Sequence, residues 1–231
     1  MPTTHLTLIS SMATKALLAD LVAEFSRLNP ALAVEVTSVG GVDAARRVQA
    51  GEAFDIVALA SDAIEKLAAS GSVVADSRVD MVRSAVAVAV RAGTPAPDIS
   101  TEAALRAAVL AAPTLGYSTG PSGVQLAKLF ERWGIADQIA PRIVTPPPGT
   151  SVASLIAKGE VALGFQQLSE MRGVAGIDVI GGLPEPVQIV TTFSAARSSV
   201  SPQAAAVQRF LDFVASPQTA DLKRRHGMNA V

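Results

Sequence analysis

The stretch Tyr117-Ser118-Thr119-Gly120-Pro121-Ser122-Gly123-Val124 follows an apolar run ending at Leu115 and opens a helix-like pattern from Val124 to Trp133. A strand that ends in hydroxyls and glycines and turns into a helix suits an anion. Glycine lets backbone approach the ligand, the first helical N–H groups lack intrahelical acceptors, and the helix dipole favours negative charge there. The pattern recurs. Leu6-Thr7-Leu8-Ile9 runs into Ser10-Ser11 before another helical stretch, and Val34-Glu35-Val36 runs into Thr37-Ser38-Val39-Gly40-Gly41. Serine and glycine also cap helices in α/β proteins, and any one loop reads equally well that way. Three in one chain point to a shared small-anion site.

Outward from these loops, apolar β-type runs alternate with stretches of helical period, the mark of a mostly parallel sheet covered by helices. Strands are expected at Leu6–Ile9, Val34–Val36, Asp55–Leu59, Thr114–Tyr117, Arg142–Thr145 and Ala162–Gln166. Helices are expected through Leu17–Phe25, Val42–Ala50, Ser61–Ser70 with Ser61-Asp62 as its cap, Thr101–Leu110, Val152–Lys158 after the loop Pro146–Gly149, and Ala204–Ala215. Two long β-type runs, Ser84–Val90 and Val187–Phe193, bracket the middle of the chain. They predict two lobes, each a mostly parallel sheet flanked by helices: 1–84 plus 194–231, and 91–188, with 85–90 and 189–193 as hinge crossings. A single doubly wound domain is the competing reading.

Composition narrows the function. The 231 residues are 49% hydrophobic and 17% charged, which specifies a globular chain. A net charge of −1 without a basic run and only 4% aromatic residues leave no footprint for nucleic acid. There is no cysteine, and the only histidines, His5 and His226, stand near the termini, so neither a metal nor another cofactor is expected. No window is long and apolar enough to insert into a bilayer. The start, MPTTHLTLIS, lacks the basic and apolar regions of a secretory signal. The expected location is the cytoplasm as written, or the periplasm if a signal has been removed. A monomer is expected.

The chain resembles the type II periplasmic-binding-protein fold, and within it the molybdate/tungstate-binding branch. The residues that carry the resemblance are the first strand with its hydroxyl loop, Ala44–Gly51 leading into Asp55-Ile56, Pro121-Ser122-Gly123, and Gly159–Gly164. The resemblance implies two α/β lobes joined by two crossing strands, with an anion held by loops from both. The molybdate binders use serines after the first strand and in the second loop, and a tyrosine in the late strand-to-helix turn. Those places fall here on Ala13, Gly41 and Gln167, which argues against molybdate. Asp76-Ser77-Arg78-Val79-Asp80, Tyr117-Ser118 with Ser122-Gly123, and Gly164–Glu170 are similar to the subgroup that includes bacterial aconitate isomerase. That resemblance implies a carboxylate ligand and, in the enzyme, a proton shift that moves a double bond. The subgroup also includes plain substrate-binding proteins, for which a transporter permease is the partner if the chain is exported.

The candidate ligand residues are Ser10, Ser11, Ser38, Gly40, Gly41, Arg83, Tyr117, Ser118, Ser122, Gly123 and Gln167, with Ser122 foremost because it stands where a helix start meets the crevice. Gln166 and Gln167 should face opposite sides of their strand, and Gln167 takes the family tyrosine's place. Arg83 offers a fork for a carboxylate, although an exposed arginine is the common alternative. Arg46-Arg47 and Lys223-Arg224-Arg225 read as helix surface. No general base is assigned; for a proton shift the candidates are Tyr117, Glu170, Asp43 and Lys15.

Overall fold

The computed structural model describes residues 3–147 and 150–231. Pro148 and Gly149, part of the loop expected before the helix at Val152, lie outside the described residues. In chain order the elements are β1 (Thr4–Ser11), a single 3-10 turn at Met12–Thr14, α1 (Lys15–Leu28), β2 (Leu32–Val39), α2 (Gly41–Gln49), β3 (Ile56–Ala60), α3 (Ser61–Ala69) and β4 (Val79–Arg91). Then follow α4 (Glu102–Ala111), β5 (Leu115–Tyr117), α5 (Pro121–Arg132), α6 (Ala136–Ile139), β6 (Ile143–Val144), α7 (Val152–Lys158), β7 (Leu163–Gln167), α8 (Leu168–Met171) and β8 (Ile177–Gly182). The chain ends with β9 (Val190–Arg197), α9 (Ala204–Ala215) and α10 (Ala220–Arg225). It divides into two compact units, Met1–Ser84 with Thr192–Val231, and Ala85–Thr191. β4 and β9 each carry the chain from one unit into the other.

The sheet of the first unit has the order β2-β1-β3-β9, with β1 parallel to β2 and β3 and β9 antiparallel to β3. All five residues of β3 are buried, as an apolar run covered on both faces requires. On one face Leu6 and Leu8 pack with Leu17, Leu18, Leu21 and Phe25 of α1, whose ring meets Phe210 and Phe213 of α9 at 5.1 and 5.4 Å. On the other, Ile9, Val57 and Leu59 pack with Val48 of α2 and Ile64 and Leu67 of α3. Buried Asp55 ties three segments together, accepting from Thr7 N–H at 2.9 Å and from the Ser201 hydroxyl at 2.6 Å. The Asp76–Asp80 motif is a second tie. Ser77 Oγ accepts from Arg197 N–H, Arg78 pairs with Glu65 and Asp80, and Asp80 accepts from Ser194.

In the second unit β4 pairs antiparallel with both β7 and β8, and β5 runs parallel between β7 and β6. The core gathers Val86, Val88, Leu105, Leu115, Leu126, Phe130 and Phe165 on one face, and Ala87, Val152, Ile156, Val161 and Met171 on the other.

Several sequence expectations need correction. Ser61-Asp62 do not cap α3: its N-cap is Ala60, and no side chain accepts there. The last long strand starts at Val190, because a 3-10 turn at Glu185–Val187, built around Pro186, replaces its first residues. β8 has no counterpart among the expected strands. Lys223 is not surface but 2% exposed, carried inward on the same short helix that packs Leu222 against the core, and burial lowers its ammonium pKa. Arg47 is engaged as well, paired with Glu52 and stacked over Phe54 at 5.2 Å.

Candidate functional site

Topology singles out one strand in each unit. β1 sits between β2 and β3, the next two strands of the chain, and β5 sits likewise between β6 and β7. The chain leaves each central strand to one side and returns on the other. The loop after such a strand lies at a topological switch point, where open α/β sheets form a crevice at their carboxyl ends.

In the first unit the register sets Ser10 beside Ser38 and Ser11 beside Val39. The Ser10 and Ser38 hydroxyls are 2.8 Å apart and share one hydrogen bond, which leaves one hydroxyl proton for another acceptor. Ser11 points to the opposite face. Its Oγ is buried with no partner among the described residues, and a methyl built on Gly41 would lie 3.7 Å from its Cβ. An orphan hydroxyl therefore stands beside the start of α2. That helix begins after Gly40 with no side chain accepting from its first turn, and the turn after β1 is likewise uncapped. By contrast Thr101 caps α4 through Ala104 N–H, and Ser151 caps α7 through Ser154 N–H. The serines at these strand ends are thus not caps.

In the second unit α5 starts after Gly120 with Pro121 in its first turn, again with no side-chain cap. Ser122 is buried in that turn. A Cβ on Gly123 would overlap the Ser118 carbonyl oxygen and lie 3.3 Å from Tyr117 Cδ2, so the loop folds back onto the helix start and only glycine permits it. The Tyr117 ring meets Phe130 edge-on at 5.8 Å, and burial raises its phenol pKa, so the hydroxyl keeps its proton.

The two glutamines at the end of β7 are both buried and diverge as strand geometry demands. Gln167 Nε2 donates to Thr191 Oγ1 at 2.8 Å, while Gln167 Oε1 is buried without a partner among the described residues. Gln166 Oε1 accepts from Ala153 N–H at 3.0 Å, and its Nε2 donates to Glu170 at 2.9 Å. Burial raises the Glu170 carboxyl to about 7, opposed by the Gln166 hydrogen bond.

Arg83 is not drawn to these loops by any contact. Its side chain is exposed and its backbone pairs with Asn229, while the buried neighbour Ser84 carries an unpartnered Oγ. Sequence reasoning missed Ser84, whose only signal is one hydroxyl within an apolar β-type run, and Thr191, the partner of Gln167. A cavity of about 560 Å³ in the first unit, lined by Asp20, Glu24, Arg27, Asp221 and Arg225 among others, contains none of the strand-end residues. Among the described residues no group of three or more His, Asp or Glu is placed to hold a metal ion, and no helix is long and apolar enough to cross a membrane.

Comparison with known proteins agrees with this architecture. An aconitate isomerase from a Pseudomonas species is 38% identical over 186 residues, covering 80% of this chain and 71% of the relative. The periplasmic molybdate-binding protein of Azotobacter vinelandii superposes with a TM-score of 0.82 at 18% identity, covering 98% of this chain and 99% of that one. A sulfate-binding protein of Mycobacterium tuberculosis gives 0.80 at 18% identity, over 99% and 87% of the two chains. At such identities these structures establish the type II periplasmic-binding-protein fold. The model of one family matches residues 6–229, nearly the whole chain, and the chain belongs to that family, the bacterial extracellular solute-binding proteins.

Proposed function

We propose that this protein binds a small di- or tricarboxylate through uncapped helix starts and the hydroxyls at the carboxyl end of a central strand. The observation that carries the reading is the buried, unpartnered Ser11 hydroxyl beside the uncapped start of α2. A buried donor without a partner is costly, and a ligand oxygen relieves that cost. The absence of a hydroxyl at Ala13 and Gly41 disfavours a compact tetrahedral oxyanion such as molybdate. In its native setting the protein acts as a monomer outside the inner membrane and hands its ligand to a permease. A thermal-shift panel of citrate, tricarballylate, cis- and trans-aconitate, sulfate and molybdate tests the ligand class. A hundredfold excess over the dissociation constant stabilises by about 2.7 kcal/mol. Stabilisation by molybdate with none by any carboxylate would overturn the reading.

A second reading, an isomerase that moves the double bond of an unsaturated carboxylate, is favoured by Glu170. A carboxyl that titrates near neutrality beside a strand-end crevice suits proton transfer at physiological pH. The 38% identity to an aconitate isomerase supports it. An ultraviolet assay for double-bond migration on any ligand from the panel distinguishes this enzyme from a binder.

A further inference from the structure

We propose that Glu170 is the carboxyl that takes up and returns the proton, and that Gln166 positions it from behind by a hydrogen bond whose direction is fixed by the Ala153 backbone. The inference rests on the isomerase reading above. A backbone N–H can only donate, so Ala153 N–H, 3.0 Å from Gln166 Oε1, settles which end of the amide is oxygen. The Nε2 end must then face Glu170, and it donates to Oε1 at 2.9 Å. One carboxylate oxygen is thereby held, and the other has no partner among the described residues. This is the arrangement of a base and its orienting group.

Placement supports the assignment. α8 begins directly at the end of β7, and β7 is the parallel neighbour of β5, with Tyr117 opposite Phe165. Glu170 therefore follows the same sheet edge as the Tyr117–Gly123 loop. The other proton-transfer candidates fare worse. Asp43 is occupied by Arg46, Lys15 is exposed at the start of α1, and Tyr117 is held protonated. The charged groups on the elements around α8, namely Arg91 of β4, Lys158 of α7, Asp178 of β8 and the adjacent Arg172, do not contribute to the displaced titration of Glu170. Burial and Gln166 account for it.

The step balances without a redox partner. The ionised Glu170 removes a proton from the CH2 carbon next to the double bond. That C–H bond breaks, an O–H bond forms, and the electron pair spreads into an allylic anion stabilised by the substrate's own carboxylate. The same O–H then breaks to form a C–H bond at the far end of the three-carbon unit, leaving the double bond displaced and the proton count unchanged. The donors of the strand-end loops hold the carboxylate charge meanwhile.

The test follows cis-aconitate by ultraviolet absorbance and by solvent-deuterium incorporation, with wild type, E170Q, E170D and Q166A. General acid–base catalysis contributes roughly 10²–10⁴-fold, and E170Q is expected to lose that factor while its thermal shift by cis-aconitate persists. Should E170Q not fold, E170D, which keeps a shortened carboxyl, is expected to retain reduced turnover. Q166A removes the bond that favours the ionised carboxyl, so the acidic limb of its pH profile moves to higher pH, a shift that a merely structural role would not produce. Turnover by E170Q, or by E170D if only that variant folds, within threefold of wild type overturns the assignment of Glu170. An unmoved acidic limb in Q166A overturns the positioning role. Wild type that binds the probe without turnover or deuterium uptake removes the isomerase reading itself, and this inference with it.

Discussion

Gly116 and Gly164 are register partners in β5 and β7, and both lie beneath α7 and the turn that leads out of it. A Cβ on Gly116 would come within 2.8 Å of Val161 Cγ2, and one on Gly164 within 2.9 Å of Val152 Cγ1 and into overlap with Ile156. The pair lets the helix sit close on the sheet and sets the height at which Ala153 meets Gln166. Gly164→Ala is expected to destabilise the protein by about 1–3 kcal/mol through overpacking, read from the denaturant midpoint at unchanged slope. No loss of stability would mean that α7 is free to lift.

Ser11→Ala should separate stability from binding. Its hydroxyl is buried and unpartnered, so the variant is expected to be more stable without ligand, by about 1 kcal/mol, and to bind its carboxylate roughly tenfold or more weakly. Thermal melts with and without ligand check both halves. A variant that is less stable and equally tight would show the hydroxyl to be structural.

Ser122→Ala is expected to weaken ligand binding by about ten- to a hundredfold, the cost of a hydrogen bond to a charged group. Ser70→Ala is the control. Ser70 is exposed and occupied by Leu67 O and Ser72 at a helix end, so its loss should leave affinity alone. Titration calorimetry with the best carboxylate of the panel compares them, and equal affinities would remove the Pro121–Gly123 turn from the site.

The pH dependence of stability carries the mark of Glu170. Its folded pKa, about 7, lies above the ordinary value of 4.5, so the folded state holds the proton more tightly than the unfolded chain. That contribution is complete below about pH 4.5 and is lost as pH rises through 7. Glu170→Gln cannot ionise. It is expected to lie close to wild type near pH 5 and to melt about 5–10 °C higher at pH 8, the shift that roughly 2–3 kcal/mol produces in a chain of this size. Parallel pH profiles for the two proteins would place the carboxyl in water.

Much of the frame was legible because each parallel triplet is made of short apolar runs that end in glycine and hydroxyl loops. β8 was not legible: its residues are half-buried or exposed, and Gly181 and Gly182 interrupt its pattern. The strand-end serines read equally as caps or as ligands, since composition is the same for both. The side-chain geometry, with Thr101 and Ser151 bonded to their helices and Ser11 bonded to nothing among the described residues, removes the capping reading. The sequence favours Gln167 because it takes the family tyrosine's place, whereas the partners of Gln166 lie on separate elements, Ala153 on α7 and Glu170 on α8, and leave no mark in the sequence. The unusual titration of Glu170 is likewise a product of burial by neighbours that sequence order does not bring near.

The first unit is made from two ends of the chain, and this has a consequence during synthesis. Residues Ala85–Thr191 are contiguous and can fold as soon as they leave the ribosome. β3 cannot be completed then, because its antiparallel neighbour β9 is translated more than a hundred residues later. Until β9 arrives, the apolar run Ile56–Ala60 offers an open edge to any passing chain. Yield in the cell therefore depends on how soon the segment from Thr192 onward follows, and on what shields that edge while it waits.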